Sequence, residues 1–156
     1  MRELFVVLSP HTDDAVIGCW ELIKNGKVRA IIYCNTEKEE VKELEKFCED
    51  YGIQLFILPD KNDLNFVKKT LDDFPEHILL LPSSNDFHPI HKFYSSWQYC
   101  FDRCGFYSVD MNVDWIRKIN SFENKKKVLD RYFKTKKDLW KNNAKYYLFE
   151  GVVVKI

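Results

Sequence analysis

Two rhythms of apolar residues alternate along the first half of the chain. Short continuous runs recur at LFVVL (4–8), VRAIIYC (28–34), QLFIL (54–58) and HILLLP (77–82). Runs of this length read as strands buried on both faces. Helical spacing fills the gaps between them. DAVIGCWELIKNG (14–26) carries an apolar helical pattern and ends at Asn25-Gly26, a C-cap pair. EKEEVKELEKFCEDYG (37–52) places Val41, Leu44, Phe47, Cys48 and Tyr51 on one stripe, and Gly52 stops it. Leu64, Val67, Leu71 and Phe74 recur at helical spacing and predict a third helix over 64–74.

Strands alternating with helices of this length predict an α/β fold, a mostly parallel sheet with helices on both faces. Right-handed crossovers limit its topology. Beyond residue 92 the pattern is less regular. FYSSWQYCFDRC (93–104) reads as helix, 123–143 as one long helix, and YYLFEGVVVKI (146–156) as a closing strand. Val128, Leu129, Tyr132, Phe133, Leu139 and Trp140 form the buried side of that long helix.

Composition narrows the classes. A chain of 156 residues, 46% hydrophobic and 15% aromatic, predicts one packed domain over 1–156. Basic and acidic residues balance at 24 each, which gives no general case for nucleic acid or a membrane surface. No apolar run approaches the roughly 18–20 residues of a membrane span. The N-terminal MRELFVVLSPHTDD reads as a first strand rather than a signal peptide. Five cysteines, an odd number without a CxxC, predict reduced thiols and a cytoplasmic location. Residues 121–145 hold nine Lys/Arg against three Asp/Glu. They read as a solvated helix face, with a phosphate-contacting surface as the alternative.

Candidate chemistry sits where two strands end. In a doubly wound sheet, sites form at the carboxyl ends of strands, where the strand order reverses. His11, Asp13 and Asp14 follow the first strand directly, and PSSNDFHPIHK follows the fourth, so His88 and His91 lie on a loop beyond its carboxyl end. A 3-2-1-4 strand order makes these two strands neighbours and brings all five residues together. Two imidazoles and one carboxylate are a usual ligand set for a catalytic zinc. A second carboxylate beside the metal suits a general base, and a further imidazole suits an oxyanion donor.

Plainer readings stand beside these. Asp13 or Asp14 serves as a helix N-cap. His88 and Pro89 serve as turn residues. His77 opens a strand and is structural. Cys100 and Cys104, four apart on the expected helix, pack as small hydrophobes. Asp86 either orients a ligand imidazole from behind or makes an Asx-turn with its own loop.

At these residues the chain resembles a known family. PHTDDAVIGC is similar to the His-Pro-Asp-Asp signature of the PIG-L/LmbE-like N-acetylglucosamine deacetylases, and NDFHPIH to their second motif, usually His-Pro-Asp-His. YSVDMN, KKKVLDRYFKTKKD and YYLFEGVVV fall in the family's order, with weaker similarity. The resemblance implies a Rossmann-like fold and one zinc per chain, with other divalent transition metals also compatible. It implies His11, Asp14 and His91 as metal ligands, Asp13 as the base, and His88 as oxyanion stabiliser and aid to leaving-group protonation. The implied reaction is hydrolysis of the acetamido group of an N-acetylated sugar or glycoconjugate. Thr12 stands for the usual Pro, Ala15 for a frequent Glu, Trp20-Glu21 for a common glycine pair, and Ile90 for the usual Asp. The chain is short for the family, which implies trimmed loops and an open groove. Two other functions compete: a degenerate member that binds sugar or metal without turnover, and a metal-dependent phosphoesterase.

Overall fold

The computed structural model describes residues 3–155. Four strand–helix units open the chain: β1 (Phe5–Ser9), α1 (Asp14–Lys24), β2 (Val28–Tyr33), α2 (Lys38–Tyr51), β3 (Gln54–Ile57), α3 (Leu64–Leu71), β4 (Ile78–Pro82) and α4 (Pro89–Ser95). Then come β5 (Cys104–Tyr107), β6 (Arg117–Lys118), α5 (Phe122–Tyr132), α6 (Lys137–Lys141), α7 (Lys145–Leu148), β7 (Phe149–Glu150) and β8 (Val152–Lys155). The main sheet has the order β3-β2-β1-β4-β5-β8. Its first five strands run parallel, and β8 pairs antiparallel with β5. This is the α/β, Rossmann-like architecture expected from the alternation, and β1 and β4 are neighbours as the 3-2-1-4 order requires.

Helices cover both faces because both faces of β1 are apolar. Phe5 and Val7 pack into one core with α1, α2 and α5, where Leu44, Phe47 and Leu129 are fully buried. Val6 and Leu8 point the other way, onto Val67 of α3 and Tyr94 of α4. Local signals set the helix limits. Glu37 accepts from the N–H groups of Glu39 and Glu40 at the start of α2, and Gly52 ends it in the left-handed region at φ 68°. Gly26 follows α1 at φ 71°.

The second half departs from the pattern-based expectation in four places. His91 lies on α4 rather than on a loop. Pro89 suits the first turn of a helix, and the His88 side chain caps it by accepting from the Ile90 N–H. The helix expected over 93–104 ends early: α4 passes into a 3-10 turn (Ser96–Cys100), and Cys104 begins β5. Cys104 is therefore buried in a strand while Cys100 is exposed. Gly105 permits that strand, since a side chain there would run into the Val153 carbonyl and Val154 of β8.

The long helix expected over 123–143 breaks at Phe133, whose buried ring anchors a non-helical residue before a 3-10 turn and the short α6. Leu139 is 39% exposed instead of buried. The expected closing strand is a one-turn helix, α7, then β7, which pairs with β6, and then β8 after Gly151. The terminal Ile156 and the first two residues lie outside the described residues.

Candidate metal centre

The first turn of α1 carries two carboxylates, and neither caps the helix. Asp13 occupies the N-cap position, where its carbonyl accepts from the Ile17 N–H at 2.9 Å, but its side chain makes no capping bond. The Asp14 carboxylate turns back instead and accepts from the His11 backbone N–H at 2.8 Å. The N-cap alternative therefore accounts for neither side chain.

Strand order brings the second motif to the first. Asp14 Oδ2 lies 3.2 Å from His11 Nδ1 and 3.0 Å from His91 Nε2, and the two ring nitrogens are 3.2 Å apart. Three ligand-type atoms thus form a nearly equilateral triangle. A tetrahedral ion with bonds of roughly 2.0–2.1 Å has ligand–ligand edges of about 3.3 Å, close to this spacing. His11, Asp14 and His91 form a group of side chains able to hold a metal ion.

Asp86 fixes the His91 ring from behind. Its Oδ2 lies 2.8 Å from His91 Nδ1. A carboxylate in that place accepts the Nδ1 proton, so Nε2 is the nitrogen that faces the triangle. Asp86 is itself held by the N–H groups of Val109 and Asp110 and by the Ser108 hydroxyl. Its side chain thus bonds to His91 and to residues 108–110 rather than closing an Asx-turn.

Charge follows from the packing. Burial raises the Asp13 pKa to about 7, and the neighbouring Asp14 adds to the rise. For Asp14, burial works upward, but the His91 and His11 rings outweigh it and hold the carboxyl below the usual carboxylate range. For His91, burial works downward, but Asp14 and Asp86 win and lift the ring to about 10. His11 is also raised, since Asp14 outweighs the cost of burial. The cluster is built to hold positive charge between carboxylates.

Asp13 and His88 flank the triangle. Asp13 is 1% exposed, and its Oδ2 has no hydrogen-bond partner among the described residues. An acceptor buried without a donor costs about 1–3 kcal/mol. The His88 ring meets the His11 ring edge-on at 4.6 Å between centroids. Because its Nδ1 accepts from the Ile90 N–H at 3.2 Å, its neutral ring carries the proton on Nε2. Burial, then His11 and His91, lower its pKa.

All five predicted side chains line one cleft of about 260 Å3. Its remaining wall comes from Val109, Asp110, Lys136, Leu139 and Tyr146, which sequence reading did not single out as site residues. Asp110 follows the carboxyl end of β5. Recognising CGFY as a strand would have exposed it by the same rule that found His11. Lys136 belongs to the basic 121–145 segment, but it is paired with Glu40 at 2.9 Å rather than free. Trp20 is absent from the cleft lining. It packs in the core, edge-on to Tyr51 at 5.7 Å. His77 sits at the opposite end of β4, with Nδ1 3.0 Å from the Pro75 carbonyl.

No protein-family model matches the chain, and no curated protein matches it closely enough to serve as a relative. Among the described residues, no helix is long and apolar enough to cross a membrane.

Proposed function

We propose that the protein is a zinc-dependent N-deacetylase acting on an N-acetylated amino sugar or a similar small amide. The observation that carries this reading is the His11–Asp14–His91 triangle with the unpartnered Asp13 oxygen beside it. The donor set fits the metal in charge, spacing and the orientation of His91 by Asp86. A zinc ion held by these three side chains would supply Lewis acidity, acidifying water and polarising an amide carbonyl.

The chain's own residues would do the rest. Asp13, buried and with its Oδ2 unpartnered, takes a proton from water and returns it to the departing amine. His88 offers its Nε2–H to the oxygen that gains charge as the carbonyl carbon becomes tetrahedral. The Ile90 amide donates to His88 Nδ1 and so keeps the ring's own donor on Nε2, but it does not take the proton-accepting place that an Asp carboxylate would fill. Val109, Leu139 and Tyr146 give the cleft an apolar flank that suits an acyl group and a sugar face. A phosphoesterase is less well supported, because Lys136, the one lysine lining this cleft, is already paired with Glu40.

Metal analysis of the purified protein, paired with acetate release from a panel of N-acetyl sugars, tests the proposal. One zinc per chain and released acetate are expected. Phosphate release from sugar phosphates instead, or a metal-loaded protein inert on every amide, overturns it.

A further inference from the structure

Helix α1 is kinked at Cys19, where φ −133° and ψ 22° leave the helical region. Kinks have identifiable causes, among them side chains inserted at the backbone ladder. The i and i+4 groups that flank this kink, the Ile17 carbonyl and the Glu21 N–H, each hold one half of a buried ion pair. Lys125 Nζ donates to the Ile17 carbonyl and also to the Phe149 carbonyl at 3.2 Å. Glu150 Oε1 accepts from the Glu21 N–H at 3.1 Å. Lys125 Nζ and Glu150 Oε2 are 3.0 Å apart, with both side chains almost fully enclosed. The cation thus sits at the C-terminal end of the first helical segment and the anion at the N-terminal end of the second, the signs that helix dipoles favour. A further tie, Ser121 Oγ donating to Glu21 Oε2 at 2.9 Å, holds the second segment to the start of α5.

We propose that the Lys125–Glu150 pair is a positioning device for the site. It sets the direction of the segment Asp14–Gly18, and so the placement of Asp13 and Asp14 against His91. The same segment is also held at Gly18, which packs so closely against the Tyr107 ring that a side chain would not fit. Tyr107 beside Gly18 and the ion pair at the Ile17 carbonyl thus both restrain the segment that carries the first turn. The inference rests on the proposed metal site for its consequence but not for its geometry. Lys125 and Glu150 are positioning residues; neither lines the cleft.

The test uses Lys125→Met/Glu150→Leu. An apolar pair of similar volume in place of a buried ion pair commonly leaves a fold as stable as before. Two readouts follow: hydrogen exchange of the Ile17 amide, which bonds to the Asp13 carbonyl, and the visible spectrum and affinity of cobalt(II) added to metal-free protein. The expected result is a parental melting temperature, with Ile17 exchange about tenfold faster and cobalt(II) bound about tenfold more weakly with a shifted band. A folded double variant with parental exchange and a parental cobalt spectrum overturns the proposal. If the double variant does not fold, Glu150→Gln, which keeps an acceptor for the Glu21 N–H but loses the charge, decides by the same two readouts. If the parent protein takes up no cobalt(II), the metal reading fails, and Ile17 exchange alone decides whether the pair positions the helix.

Discussion

The cleft has two walls made in different ways. One belongs to the parallel half of the chain, where His11, Asp13 and Asp14 follow β1, and His88 and His91 follow β4. These side chains stand just beyond two strand ends, in or before the first turns of α1 and α4. The other wall, with Lys136, Leu139 and Tyr146, belongs to short elements of the last third, joined by turns and held by isolated ties such as Lys136–Glu40 and the Trp140 indole to Asp130. The first wall holds ionisable groups at fixed distances. The second presents mostly apolar surface and encloses the cleft. On the proposed function, chemistry belongs to the first wall and substrate contact to the second.

That division is testable from its strongest consequence downward. Asp13→Asn should lower turnover by about 100- to 10,000-fold, the usual share of a general acid–base group, while metal content stays parental. Loss of metal along with activity would place Asp13 among the ligands instead. Asp86→Ala should weaken zinc by about 10- to 100-fold, because the His91 ring loses the acceptor that orients it. Competition with a colorimetric chelator measures it, and parental affinity would separate Asp86 from the site.

The sign of the pH dependence follows from His91. Its ring is raised from 6.5 to about 10 in the metal-free protein, so it holds a proton across neutral pH. Metal must displace that proton, so affinity should rise by about tenfold per pH unit as pH increases below the raised pKa. Stability of the metal-free protein should run the other way. A raised histidine pKa contributes stability that is fully present below 6.5 and is lost as pH rises from 6.5 through about 10. Thermal melts with and without chelator should diverge as pH rises across this range, and parallel trends would refute the His91 ion pair. The smallest effect is expected on the second wall. Leu139→Ala should raise KM by roughly threefold to tenfold through lost apolar contact, with kcat unchanged. An equal fall in kcat would mean that Leu139 acts on the transition state.

The parallel half could be read closely from the chain because its signals are local. Val6 and Leu8 alternate with Phe5 and Val7 in an unbroken apolar run, and a strand buried on both faces leaves that pattern alone. Gly52 stops α2 by its own backbone freedom. The last third resisted for equally physical reasons. In FYSSWQYCFDRC, apolar residues at near-helical spacing mask the change from a 3-10 turn to β5, which is stabilised by its neighbours β4 and β8 rather than by its own residues. In 123–143 the chain leaves the helix at Phe133, whose buried ring packs on Phe47 of α2, a partner far away in the sequence. Lys125 looked like one more solvated lysine, but its partners Ile17, Phe149 and Glu150 lie far away in the sequence.

By itself the sequence determined the rhythm of strands and helices, the adjacency of the HxDD and HxxH segments, and the residue types able to hold a metal and move a proton. Periodicity and strand order suffice for these, since each depends on near neighbours or on a general rule of parallel sheets. Only the tertiary structure decided that neither aspartate caps its helix, that the Ile90 amide fixes the His88 tautomer, that Asp86 stands behind His91, and that Lys125 and Glu150 meet across a kink in α1. Each of those outcomes is a contest between hydrogen-bond partners in a crowded interior. The winner depends on distances that no local pattern contains.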